Sequence, residues 1–277
     1  MNKMKGRFIM NSTKRNTVLF LTESAIMVAL ATVLSVLKLI DMPYGGSVTI
    51  CSMLPIAFVA YRYGFPKGLL VSFVYALVQM ILGSDNFSYA TSATAVVLII
   101  VLDYLIAFCG YSFAGFLSKS KMSQTTALGI SVVVSGLFRY VCHATSGYVV
   151  WRDLSAPAKD AWIYTIAYNA AYMIPEIIAT FAAAIGLSKL INLRGDRVSA
   201  VRSGSKGKIS LPRALALIIM VVSSMIAIAM IFSKLQAEDG TFSVAGISNV
   251  NFVGLGITVG IFLIGSVLFG MNKAKKN

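Results

Sequence analysis

The sequence predicts an all-α, polytopic membrane protein, and three observations carry that prediction. Of 277 residues, 57% are hydrophobic and only 12% charged, where a soluble domain carries about 25% charged residues. Apolar runs of about 20 residues, long enough to cross a bilayer as helices, recur along the chain. The basic residues gather in alternating loops, which is how membrane topology is written into a sequence.

Eight spans are expected, at about 17–40, 48–62, 68–83, 93–118, 125–151, 161–191, 212–233 and 251–271. The second and third are short, and Pro55 falls within the second. One set of loops and termini carries 19 Lys and Arg residues, whereas the alternating set carries 4: Lys38, Arg152, Lys159 and Lys234. By the positive-inside rule both termini are cytoplasmic and the number of spans is even. The net charge of +14 is therefore a topology signal with a contact to anionic lipid, and no nucleic-acid partner is expected. The expected organisation is a basic cytoplasmic arm (1–16), a six-helix membrane core (17–192), a basic cytoplasmic linker (193–211), and a two-helix hairpin with a basic tail (212–277). In the last span, Gly256 and Gly260 make a small-xxx-small face that predicts close helix packing.

The three cysteines, Cys51, Cys109 and Cys142, lie in apolar runs without pairing or metal-ligand spacing and read as buried thiols. The chain has no GxxxxGK[ST] phosphate loop, no HExxH, no paired aspartates at matched depth and no recognisable Ser/His arrangement. No enzymatic activity, metal or cofactor is expected, and ATP, if used, is hydrolysed by another subunit.

Polar groups are costly inside a bilayer, so their placement carries information. Arg139, the only histidine (His143), Gly147, Trp151, Trp162, Tyr164 and Asn169 fall within 31 consecutive residues. At 1.5 Å per residue, His143 and Asn169 lie roughly 12 Å below the outer surface and Asp103 roughly 15 Å. Three spans thus bring an acid, an imidazole and an amide to one level, under Trp151 with Tyr164 and Trp162 near the rim. That set suits a flat, heteroaromatic, cationic ligand. Each residue also has a plainer reading: His143 as an interhelical hydrogen bond, the tryptophans as an interfacial belt, Pro175 as a kink, and Glu23 as a cap or a partner for a nearby cation. Deeper lie Arg139 and Glu176, read as a structural ion pair between the fifth and sixth spans, with Arg139–Asp103 as the rival pairing. Ala25 and Ala29 give the first span a smooth face that another helix can approach closely.

The pattern His143-xxx-Gly147-xxx-Trp151, then Tyr164-xxxx-Asn169, with Gly45-Gly46-Ser47-Val48-Thr49 and Met53-Leu54-Pro55-Ile56, resembles the thiamine-specific substrate-binding (S) components of energy-coupling-factor transporters, over roughly residues 17–192. The resemblance implies a six-helix vitamin binder in the bacterial plasma membrane, with a pocket near the outer face. It also implies a transmembrane coupling (T) protein and two cytoplasmic ATPase subunits as partners. By the resemblance His143, Trp151, Tyr164 and Asn169 contact thiamine, and Gly147 lets the ligand approach the backbone. Asp103 and Tyr104 match an acid–Tyr pair, and Ala25–Ala29 matches the docking motif for the coupling protein. Asp103 is shorter than the Glu of some members. The loop from Gly83 to Ser92 lacks a tryptophan, so stacking there falls to Tyr44, Tyr75 or Tyr89. The competing expectations are an S component for another vitamin or a thiamine precursor, and an ion-coupled secondary transporter using Asp103, His143 or Glu176.

Overall fold

A computed structural model describes residues 12–41, 45–49, 51–153, 158–200, 211–235 and 244–271. The long apolar runs become helices: α1 (Ser12–Val36), α3 (Phe65–Leu82), the helical span α4 (Ala93–Leu117), α5 (Gln124–Asp153), α6 (Ala158–Leu187), α7 (Leu211–Leu235) and α8 (Phe252–Met271). Seven helices of the described residues are long and apolar enough to cross a membrane.

The expected second span is a correction. Residues 48–62 do not make one crossing helix. Strand β2 (Ser47–Thr49) pairs antiparallel with β1 (Lys38–Asp41), Cys51 takes a left-handed turn at φ 55°, and a ten-residue helix, α2 (Leu54–Tyr63), follows with Pro55 in its first turn. Proline is tolerated there because the first N–H groups of a helix have no intrahelical acceptor. Ten residues rise about 15 Å, half a bilayer core. Leu54 to Tyr61 are all buried, so α2 is the centre of the bundle and the other helices wrap it. It packs against α1, α3, the end of α4, α5 and α6.

Helix α4 is not uniform. Residues Ile99–Ile106 are π-helical, and Gly110–Leu117 tighten to a 3-10 helix. The Ala107 N–H reaches back to Leu102 O, the i→i+5 pattern that widens a helix and is frequent at functional sites. The widened segment carries Asp103 and Tyr104.

At one end of the bundle a closed polar network ties chain segments together. Arg62 of α2 meets Glu23 of α1 at 2.6 Å and donates to the backbone oxygens of Leu193, Gly195 and Asp196. Tyr63 also donates to Glu23. Arg194 donates to Tyr61 Oη and to the carbonyls of Ser120 and Met122. Glu23 is thus an ion-pair partner rather than a helix cap.

Helices α7 and α8 pack on each other, and α7 lies along α6. Phe181 of α6 meets Phe269 of α8 edge-on. Gly254 and Gly265 face Met230 and Met220 of α7, whereas a side chain at Gly256 or Gly260 would meet no atom of the described residues. The small face expected to pack closely therefore points away from the bundle. The basic linker 201–210 lies outside the described residues.

Candidate ligand-binding site

A cavity of about 970 Å³ opens between α3, α4, α5, α6 and the β1–β2 hairpin. Its lining includes Asp103, Tyr104, Phe108, Arg139, His143, Gly147, Asn169 and Tyr172, with Asn86 and Tyr89 contributed by the 3-10 turn Ser84–Tyr89.

The depth argument holds for its three polar anchors. His143 Nδ1 of α5 lies 3.0 Å from Asp103 Oδ1 of α4. His143 also meets the Tyr172 ring edge-on, and Tyr172 donates to Asn169 Oδ1 at 2.6 Å. Acid, imidazole and amide from three helices are one connected set.

Protons can be placed along this set. Arg139 Nε donates to His143 Nε2 at 3.1 Å. A ring nitrogen that accepts carries no proton, so the imidazole proton sits on Nδ1, towards Asp103. Asp103 Oδ2 accepts from Ser146 Oγ at 3.0 Å. Asp103 Oδ1 is buried without an aligned hydrogen bond, because the imidazole lies within contact distance but off its axis. Ser146 and His143 thus hold the carboxylate in place at the wall of the cavity.

Both pairings expected for Arg139 are corrected. Among the described residues it makes a direct salt bridge with neither Glu176 nor Asp103. Its guanidinium sits over the Phe108 ring, 4.6 Å from the centroid, and its hydrogen bond goes to His143. Glu176 instead accepts from Thr49 Oγ1 at 2.6 Å and from Ser52 Oγ at 3.4 Å. The arginine thus ties the fifth helix to the fourth, through Phe108.

Tyr104 serves the wall of the cavity. Its hydroxyl donates to Gly83 O at 2.7 Å and accepts from Asn86 Nδ2 at 2.9 Å, holding the 84–89 turn. Gly147 lines the cavity, but the close approach there is between helices. A Cβ would run into Thr165 Oγ1 of α6. Asn169 is fully engaged, with Nδ2 donating to Thr165 O at 2.8 Å. Tyr164 is absent from the lining and stacks on Tyr168 at 5.6 Å. Of the tyrosines offered for stacking, Tyr75 is buried and donates to Ala31 O, Tyr89 lines the mouth, and Tyr44 lies outside the described residues. The Trp151 side chain also lies outside them. Trp162 is half-exposed and stacks on Tyr148 at 4.2 Å, as a rim residue does.

Two lining residues, Tyr168 and Tyr172, escaped the sequence reading. Tyr168 Oη accepts from Gly46 N at 2.8 Å, and a side chain at Gly46 would strike both tyrosines. The hairpin can lie on α6 only because residue 46 is glycine. The signal was present as Tyr164-xxx-Tyr168-xxx-Tyr172, one helical face shared with neighbouring Asn169.

Comparison with known proteins fixes the lineage. Residues 21–192 match the family model described as thiamine transporter protein (Thia_YuaJ). The chain belongs to that family. Among members of this thiamine transporter family, the "Thiamine transporter ThiT" of Bacillus subtilis (strain 168) is 33% identical over 180 residues, covering 61% of this chain and 88% of the relative. A solved structure of ThiT from Listeria monocytogenes aligns with TM-score 0.51 at 23% identity, covering 64% of this chain and 95% of that one. The match shows a shared fold: the all-α membrane core. With its long apolar helices and this family membership, the chain is a multi-pass protein of the bacterial plasma membrane.

Proposed function

We propose that the chain is the membrane-embedded thiamine-binding component of an energy-coupling-factor uptake transporter, with the ligand held in the α3–α6 cavity. The carrying observation is the carboxylate of Asp103. It lines the cavity, held by Ser146 at Oδ2 and set against His143 at Oδ1, and among the described residues no arginine pairs with it directly. A cationic ligand supplies the opposite charge that this carboxylate lacks. Thiamine carries a fixed positive charge on its thiazolium ring and an aminopyrimidine with donors and acceptors. The tyrosine and phenylalanine faces of the cavity suit its flat rings.

Asp103 and His143 are the ligand's polar contacts. Trp151 and Asn169 contribute from α5 and α6, Tyr104 keeps the 84–89 turn in place, and Gly147 sets the α5–α6 spacing. Tyr164 acts from behind, through Tyr168. Both termini face the cytoplasm, consistent with the segregation of basic residues: β2 and α2 together return the chain to the end of the bundle where α1 starts, a return marked by the Arg62–Glu23 pair. A transmembrane coupling protein and two cytoplasmic ATPase subunits drive transport, and the coupling protein meets α1 on the exposed face of Ala25 and Ala29. Helices α7 and α8 leave that face uncovered, since they pack on α6.

The test is equilibrium binding of thiamine to the purified full chain without ATP, with mass measurement of any ligand that co-purifies. Saturable binding at one site per chain is expected. Binding of the isolated pyrimidine but not of thiamine would reassign the chain to a precursor.

A further inference from the structure

We infer that Ser146 is a positioning residue that aims the Asp103 carboxylate at the ligand's positive charge. Ser146 is fully buried on α5 and is absent from the cavity lining, so it acts on a ligand only through another group. Its hydroxyl donates to Asp103 Oδ2 at 3.0 Å, across the α4–α5 interface. Asp103 sits on the π-helical segment of α4, a geometry frequent at functional sites.

Three α5 residues act on this carboxylate in a graded way. Ser146 takes Oδ2. His143 approaches Oδ1 at 3.0 Å without an aligned hydrogen bond. Arg139 touches neither oxygen and orients the imidazole instead. Because Ser146 holds Oδ2 and His143 stands against Oδ1, the carboxylate is fixed in a single orientation, and among the described residues no arginine pairs with it directly. A preorganised charge of this kind favours a cation over a neutral ligand of the same shape, since no reorientation cost is incurred on binding. An aspartate is one methylene shorter than a glutamate and has fewer rotamers to search, which makes one neutral hydroxyl a sufficient tether.

This inference rests on the thiamine reading of the pocket, and its test separates the two. Binding of thiamine and of its neutral thiophene isostere, in which carbon replaces the thiazolium nitrogen, is measured on wild type, Ser146→Ala, Asp103→Asn and the double variant. Ser146→Ala is expected to weaken thiamine about tenfold, the effect of losing one hydrogen bond to a charged group, and to leave the isostere unchanged. Added to Asp103→Asn it should cost nothing further. Equal weakening of both ligands, which also reports a folding defect, or unchanged thiamine affinity would overturn it. A readout without ligand accompanies the titrations. The Asp103 carboxylate stretch, isolated as the wild-type minus Asp103→Asn infrared difference, should shift in Ser146→Ala. A shifted band in a chain that does not bind thiamine would sink the thiamine reading alone, and an unshifted band overturns the positioning role.

Discussion

Two polar networks cross the bundle, and they are built on opposite logic. In the one that ties α1 to α2, Glu23 and Arg62 meet directly at 2.6 Å, and the remaining guanidinium donors are spent on backbone carbonyls. In the cavity, Asp103 and Arg139 never meet. An imidazole stands between them, and a serine hydroxyl holds the other carboxylate oxygen. The first arrangement cancels charge and fixes structure. The second holds a carboxylate by a hydroxyl and an imidazole with no guanidinium against it, the arrangement the proposed cation site requires. The same two residue types thus give scaffold or site, depending on whether a third group separates them.

The comparison breaks most sharply at the two acids and their partners. Asp103→Asn keeps the shape of the site and removes its charge, so thiamine affinity should fall about 100-fold or more, in the range found when one member of a buried charged pair is removed. Titration calorimetry reads this, and the melting temperature should hold or rise. Arg62→Ala should do the reverse. It strands Glu23 and frees residues 193–196 from the bundle, lowering stability by about 3 kcal/mol, while thiamine affinity per folded molecule is unchanged. A variant that moved both quantities in either network would erase the distinction.

Smaller effects sharpen it. Gly147→Ala wedges α5 from α6 at Thr165 and should cost about 1–3 kcal/mol of stability, with weaker thiamine binding because Asn169 shares that contact. Thermal melts with and without ligand would show it. Tyr168→Phe removes the acceptor for Gly46 N, an effect of about 1 kcal/mol. It should appear as faster amide exchange confined to residues 45–49, with the helices unchanged.

Sequence alone resolved what depends on one-dimensional depth. Hydropathy located α1 and α3 through α8, and helix rise brought Asp103, His143 and Asn169 to a common level before any contact was known. It failed where the answer depends on direction around a helix. The π-helical turn at Ile99–Ile106 breaks the 100° step, so neither the Ser146 contact nor the His143 contact of Asp103 follows from spacing. Arg139 was assigned to Glu176 by charge, yet its hydrogen bond goes to the imidazole one turn away on the same helix. The 48–62 run was read as one span because a short apolar stretch does not distinguish strand from helix. Tyr168 and Tyr172 were passed over, since nothing in the sequence announces that a glycine hairpin will lie against them.

The account rests on a carboxylate whose charge is left for the ligand. The most direct measurement compares the affinity of the wild-type full chain for thiamine and for its neutral thiophene isostere under identical conditions. A preference of about tenfold or more for the charged ligand is predicted, as for a charge-assisted contact in a desolvated site. Equal affinity for the two would contradict it, because the Asp103 oxygen would then have no cation to meet.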